Sequence, residues 1–383
     1  MNSVYIHIPF CRKACRYCDF FFTVSPRYHE PFVDALIDEI RQRASDSGDT
    51  ILGSLYLGGG TPSQLSPGDL ERILEEVNRH FSLTPDAEVT MECNPDDLVP
   101  GRAEQLKNLG FNRLSIGIQS FHDRDLVLLN RSHDASQAAR SVELAAGAGF
   151  RNITSDLIYG IPGQSTREWE ENLERILELP LQHVSAYHLS FEAGTVFDHW
   201  RKKGKIIPVS ERHSMTLYRI LREKMAAAGF EHYEISNFAR KSWRSRHNSR
   251  YWTGEPYLGF GPSAHSFDGT VRSWNVSSLK KYMEGVRKRT NIKEMERLTG
   301  ADMYHDYLIT SLRTIEGADR SLVRKRFGDV TANHFHGKSA RFIREGIMLE
   351  RGNRIAIDPR HWLISDHVVR ELFLADEGGM TDG

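Results

Sequence analysis

The sequence predicts an α/β fold, a partial (β/α)6 barrel followed by a smaller, winged-helix-like domain of helices and one hairpin. Three observations carry this expectation. Between residue 4 and about residue 190, six strand-like runs alternate with helix-like ones, the order of a parallel sheet with outer helices. A closed barrel of this kind needs more strand–helix units, so six leave it open. From about residue 296 the pattern turns helical and ends in a hairpin signal, Gly352-Asn353. The expected division is 1–230 for the barrel, 231–295 for a connecting region and 296–383 for the C-terminal domain.

The strand candidates are 4–8, 51–57, 88–92, 113–118, 152–158 and 183–189. Each is a run rich in apolar or β-branched residues. Between the first two, Phe32, Leu36, Ile37 and Ile40 form a helical stripe within 28–44. Leu70, Ile73, Leu74 and Val77 repeat the stripe within 69–81, and 101–109 is a shorter helix. Asp134-x-x-Gln137 opens the helix over 138–148, and Ser165-x-x-Glu168 is a capping box that opens 169–179. The sixth helix is expected over 209–228. Further on, 302–314, 322–327 and 339–345 read as helices and 348–357 as the hairpin.

Chemistry in such barrels collects where strands end. The first strand runs into Cys11, Cys15 and Cys18, spaced C-x3-C-x2-C. The chain has four cysteines, and the fourth, Cys93, is remote in sequence. So tight a run in so cysteine-poor a chain reads as a metal site. Three thiolates can hold three irons of a [4Fe–4S] cluster and leave the fourth iron to a non-protein ligand. A structural zinc site would want a fourth ligand at finger-like spacing, and the next histidine is His29. A disulfide would strand one thiol, and nothing suggests export.

The other strand ends are polar or glycine-rich: Gly58-Gly59-Gly60-Thr61-Pro62, Glu92-Cys93-Asn94-Pro95, Gly117-Ile118-Gln119-Ser120, and Tyr187-His188-Leu189-Ser190. A glycine triplet is a tight turn or a place where backbone N–H groups meet a ligand. Glu92 is a capping residue or a partner for an ammonium group. Asp156 is a charge in an otherwise apolar strand and needs a partner. Arg131 lies in a polar loop.

Taken together, Y-x-H-I-P-F-C-x3-C-x-Y-C-D-F, G-G-G-T-P, E-x-N-P, S-x-G-x-Q-S-F, D-L-I-Y-G-I-P-G and A-Y-H-L-S resemble the radical S-adenosylmethionine (SAM) coproporphyrinogen dehydrogenase-like proteins. The resemblance implies that Cys11, Cys15 and Cys18 hold a [4Fe–4S] cluster. It implies that Tyr5, Gly59, Gly60, Thr61 and Glu92 contact SAM and that Tyr17 lies beside the cluster. Gln119, Arg131 and Asp156 match the group that contacts a second SAM in the true dehydrogenase. Cys93 stands where the family has alanine and reads as packing. The dehydrogenase carries an N-terminal extension and another cysteine soon after the cluster motif. Here the first strand begins at Val4, and Asp19-Phe20 follow Cys18, which argues against porphyrinogen decarboxylation.

Beyond residue 230 come a strand-like run, 233–239, a basic run, 240–246, and then His247-Asn248-Ser249-Arg250-Tyr251-Trp252. The H-N-x-x-Y-W stretch resembles the motif of the HemW-like heme chaperones, a branch of that family. The resemblance makes His247 the expected heme ligand, with no catalytic residue assigned. An imidazole suits heme iron, Tyr251 and Trp252 can cover a flat macrocycle, and Arg244, Arg246 and Arg250 can meet propionates. His265 is the rival ligand. The absence of C-x-x-C-H excludes the usual thioether attachment.

Composition fits a globular protein, 39% hydrophobic and 26% charged. The net charge of −1 gives no basic field for nucleic acid. No apolar run is long enough to span a membrane, no signal peptide precedes the first strand, and the reduced thiols read as cytoplasmic. The expected partners are heme and an unidentified heme acceptor protein; a homodimer and a peripheral membrane contact are left open.

Overall fold

The structure, a computed structural model, describes residues 2–47 and 51–374. Residues 375–383 of the expected C-terminal domain therefore lie outside the described residues. Strands β1 (Asn2–Ile8), β2 (Ile51–Gly59), β3 (Ser82–Cys93), β4 (Arg113–Gln119), β5 (Asn152–Tyr159) and β6 (His183–His188) lie side by side in chain order, every pair parallel. Between and after them run α1 (His29–Arg43), α2 (Pro67–His80), α3 (Arg102–Asn108), α4 (Asp123–Leu129), α5 (Ala135–Gly147), α6 (Thr166–Glu178), α7 (Val196–Lys202) and α8 (Glu211–Ala227). The expected capping pairs are both present: Asp134 with Gln137 opens α5 and Ser165 with Glu168 opens α6.

The strands alternate with a period of two. Val4, Ile6 and Ile8, then Leu55 and Leu57, Val89 and Met91, Leu114 and Ile116, and Val184 and Ala186 join one core with helix residues such as Phe32, Leu36, Leu70 and Ile73. The positions between them are polar: Tyr5 and His7, Ser54 and Tyr56, Glu88 and Glu92, Arg113, Asp156, His183. These make polar contacts on the inner side, with one another, with the strand Glu231–Glu234 and with the short helix Arg246–Thr253. Tyr56 donates to Glu92, Arg113 faces Glu88, and His183 bonds Tyr233. The helix-facing side of the sheet is thus apolar and the inner side is a polar lining.

The stretch expected to connect the domains is built into the sheet. β7 (Glu231–Glu234) and β8 (Asn237–Ala239) pair antiparallel, and β8 lies beside β6. The short helix α9 (Arg246–Thr253) follows. β9 (Tyr257–Phe260) then pairs parallel with β1, and β10 (His265–Phe267), β11 (Val271–Asn275) and β12 (Lys293–Arg297) continue that edge antiparallel. The result is a 12-stranded sheet. Helix α10 (Leu279–Lys288) packs on α1.

The C-terminal part contains α11 (Gly300–Leu312), β13 (Ala318–Asp319), α12 (Arg320–Arg344), the hairpin β14 (Met348–Arg351) and β15 (Arg354–Ile357), and α13 (Ser365–Glu371). α12 is two helices joined at Gly328, whose backbone is not helical (φ 84°, ψ 172°): the helix expected over 322–327 ends there, and the one expected over 339–345 is the end of a longer second helix. Glycine reaches that left-handed φ without strain.

Candidate functional site

The cysteine loop leaves β1 and is closed at its base. Thr23 donates to Pro9 O at 2.6 Å, and Cys11 donates to Thr23 O at 2.9 Å. Its tip is held by the end of α4. The Arg16 guanidinium donates to Val127 O and Leu128 O at 2.9 Å each, and Asn130 Nδ2 donates to Ala14 O at 2.7 Å. Helix α4 escaped the periodicity reading because two turns show too little period.

Cys11, Cys15 and Cys18 are free and half-buried on this loop. Burial pushes the Cys11 thiol up to about 12 and the Cys18 thiol to about 11, so a bound metal would draw off their protons. Two donors are aimed at the sulfurs: Thr61 Oγ1 lies 3.7 Å from Cys11 Sγ, and Arg131 Nη1 lies 3.3 Å from Cys15 Sγ. Such donors favour thiolates. Among the described residues, no three His, Cys, Asp or Glu side chains converge closely enough to hold a single ion. Three thiols on one short loop are the number that a [4Fe–4S] cluster takes when one iron is left to another ligand. Cys93 is elsewhere, buried on the helix-facing side of β3 as packing.

Beside the loop lies a cavity of about 360 Å³, whose lining includes Tyr5, His7, Phe20, Gly59, Glu92, Tyr251 and His265. Glu92 accepts from Tyr56 Oη at 2.7 Å and from Gly59 N at 3.0 Å. Burial raises its carboxyl to about 7, with the charge of Asp156 adding to the rise. Burial lowers His7 to about 4, and its Nε2 sits 2.8 Å from Phe21 O. The glycines answer to neighbours as well as to a ligand. Gly59 has φ of 105°, and a Cβ there would meet the His7 ring at 2.5 Å. A Cβ on Gly60 would meet Phe10 O at 2.6 Å. The Gly60 N–H is committed to Ile8 O at 2.9 Å, so it is not offered to a ligand carboxylate. Buried Thr61 joins the chain of contacts through Asn94, whose Nδ2 donates to it at 3.3 Å.

Arg131 faces the cluster loop. It donates to Tyr17 Oη at 3.4 Å, to Asn94 Oδ1 at 2.6 Å and to Gly117 O at 2.9 Å. Asp156 sits deeper, its carboxyl raised to about 6 by burial against the opposing effects of Ser185, Arg113 and Arg131. Gln119 is buried with φ of 70°. These three line one face of the barrel with Glu92, and Arg131 also bridges to Cys15.

The H-N-x-x-Y-W stretch is α9, set against the inner faces of β2 and β3. Glu88 accepts from Arg246 N at 3.1 Å and His247 N at 2.9 Å, a carboxylate on a helix N-terminus. His247 is 1% exposed. Its ring stacks on Tyr56 at 4.9 Å. Nδ1 bonds Ser54 Oγ at 3.0 Å and Nε2 bonds Tyr251 Oη at 2.9 Å. Burial lowers its pKa to about 3, so the imidazole is neutral, as an iron ligand must be. Both nitrogens are engaged, and ligation would require Nε2 to exchange its tyrosine partner for iron. The arginines expected to meet propionates are also paired: Arg244 with Glu231 and Glu316, Arg246 with Asp86, Arg250 with Glu255. His265 is exposed, stacked on Trp274 at 5.7 Å.

Sequence reasoning missed Ser54, Tyr56, Glu88 and Arg113. The signal was present, since each is a polar group at an alternate position of a strand whose other positions are apolar.

The profile of the radical SAM superfamily matches residues 5–176. The chain is 35% identical over 332 residues to the heme chaperone HemW of Bacillus subtilis (strain 168), covering 86% of this chain and 87% of that protein. It is 33% identical over 379 residues to the heme chaperone HemW of Mycobacterium tuberculosis (strain H37Rv), covering 97% and 94%. Among solved structures, the coproporphyrinogen III oxidase HemN of Escherichia coli, described as a radical SAM enzyme, superposes with a TM-score of 0.84 at 25% identity, covering 97% of this chain and 89% of that one.

Proposed function

The chain belongs to the radical SAM superfamily and, within it, to the HemW heme chaperone family, and on that premise we propose that it binds heme and passes it to an acceptor protein. The observation that carries the proposal is α9. A neutral, oriented imidazole, His247, bonds the hydroxyl of Tyr251, and Trp252 follows on the same helix, which is locked to the barrel's inner face. That helix offers ligation and a flat apolar wall together.

Cys11, Cys15 and Cys18 would hold the [4Fe–4S] cluster. Tyr5, Gly59, Gly60, Thr61 and Glu92 would frame SAM, with Glu92 as partner for its ammonium group, and Tyr17 would lie beside the cluster. When bound, the cluster supplies electron storage and an open iron for SAM. Arg131 would stabilise the Cys15 thiolate, and Gln119, Arg131 and Asp156 remain the candidate second-SAM group. Cluster and SAM would serve stability, dimerisation or regulation. No helix among the described residues is long and apolar enough to cross a membrane; the proposed setting is the cytoplasm, with any membrane contact peripheral.

A second reading is an enzyme that acts on a porphyrin substrate, favoured by the likeness to HemN. Anaerobic heme titration with mass analysis of the porphyrin separates the two. The chaperone reading expects stoichiometric heme of unchanged mass, and expects His247→Ala to lose or shift the Soret band while cluster absorbance stays. A His247→Ala protein with the native spectrum and affinity would remove His247 as ligand and make His265 the next position to test.

A further inference from the structure

Resting on the heme reading above, we propose that the macrocycle seats in the cleft on the far side of Tyr251, between α9, β10, β11 and α11, and that Tyr251 is the gate between this cleft and His247. The cleft holds about 230 Å³, and its lining includes Trp252, Tyr257, Phe267, Met303 and Tyr307. These are flat or soft apolar side chains, suited to the face of an aromatic ring. At that size it takes one edge of a macrocycle. When the Tyr251 side chain moves, the cleft opens toward the imidazole and the ring can advance until the iron at its centre meets Nε2, its trailing edge lying against Ile309, 44% exposed at the rim.

The cleft also has charge for carboxylates. Arg326 lines it, rests on the Tyr307 and Phe327 rings at 5.7 and 5.0 Å, and is exposed. It has no carboxylate partner among the described residues. Arg272 lines it too, paired with Asp306 and Glu296. The acidic groups in the lining, Asp306 and Glu255, are each matched by an arginine, Arg272 and Arg250.

Tyr251 and Tyr257 line both this cleft and the cavity beside Glu92. Their rings meet edge to face at 4.7 Å and form the partition between the two spaces. The Tyr251 hydroxyl occupies Nε2 of His247 at 2.9 Å. Swinging Tyr251 aside would free that nitrogen for iron. Nδ1 would keep Ser54 and so keep the ring oriented, as partners behind a metal-ligating histidine do.

The test uses the full chain carrying its cluster, titrated with hemin and with iron-free protoporphyrin, with SAM binding measured alongside. Iron-free porphyrin reads ring contacts without ligation. Met303→Trp and Arg326→Glu should each weaken protoporphyrin at least about tenfold while SAM binding stays within about twofold. His247→Ala should retain protoporphyrin binding. Tyr251→Phe should strengthen hemin binding and leave protoporphyrin little changed, because the competing hydroxyl is gone. Wild-type protein that binds hemin with a Soret band, while both cleft variants bind both ligands as wild type does, would overturn the cleft assignment and leave the heme reading standing. Wild-type protein that binds neither ligand would remove the heme reading itself, and the cleft with it.

Discussion

At the scale of the residue, Glu92 makes a pH-dependent prediction. In the ligand-free protein its carboxyl titrates near 7 because burial penalises the charge. Only the carboxylate form pairs with an ammonium group. SAM affinity should therefore rise with pH up to about 7 and level off above, and Glu92→Gln should flatten the rise. Equilibrium dialysis across that range measures it, and an unchanged slope in the variant would detach Glu92 from SAM. The cysteines give a second test. Ala at Cys11, Cys15 or Cys18 should abolish cluster absorbance. Cys93→Ala should keep it, at a stability cost of roughly 1 kcal/mol for a small buried side chain. Gly60→Val should fail for a backbone reason, since its Cβ collides with Phe10 O of the cysteine loop. Cluster yield should fall together with SAM binding, whereas a purely ligand-facing glycine would spare the cluster.

What could be read at this scale was chemistry that repeats in tight spacing. The cysteine trio and the strand-end Glu92 stood out in the chain itself. The engagement of His247 with Ser54 and Tyr251 did not, because Ser54 is 193 positions away and no local pattern announces a partner at that range.

At the scale of the element, α9 depends on Glu88. That buried carboxylate holds the first turn of the helix and faces Arg113 at 3.8 Å. Glu88→Ala would leave the first two N–H groups of α9 without their buried acceptor, a loss of about 1–3 kcal/mol. Thermal unfolding should report it, and the heme spectrum should broaden as His247 loses its fixed position. A variant that melts like wild type would mean Glu88 does not anchor the helix. By contrast, Ser165→Ala removes only a cap from α6 and should cost about 1 kcal/mol without touching heme or cluster. The long amphipathic helices and the capping boxes were legible because they are local, periodic and repeated over several turns. α4, α7 and α9, of seven or eight residues each, gave too short a stripe, and α9 was further masked by its basic flank.

At the scale of the whole molecule, the six parallel strands of the barrel were legible because each is buried on its helix-facing side and ends in a turn signal. Of the remaining strands of the large sheet, β7 and β8 were read as a single strand-like run over 233–239, and β9 to β12 were not read. β8 and β10 have three residues each and are strands only by virtue of the edge they join. The break at Gly328 agrees with the helix read as ending at Phe327, and the helices on its two sides each bury apolar residues, Val323 before and Phe335 after. The sheet's extension through β9 and β10 carries the Gly261-to-His265 turn to the edge beside β1, so that His265 lines the same cavity as Tyr251 of α9 and Phe20 of the cysteine loop.

The chaperone reading is tested most directly by following one heme through the protein. Cluster-loaded protein would be charged with hemin, given SAM and a reductant under anaerobic conditions, and then mixed with a heme-free globin as acceptor. Heme of unchanged mass appearing on the globin, with SAM intact, is the expected result. A porphyrin of altered mass formed together with SAM cleavage would contradict it and identify an enzyme.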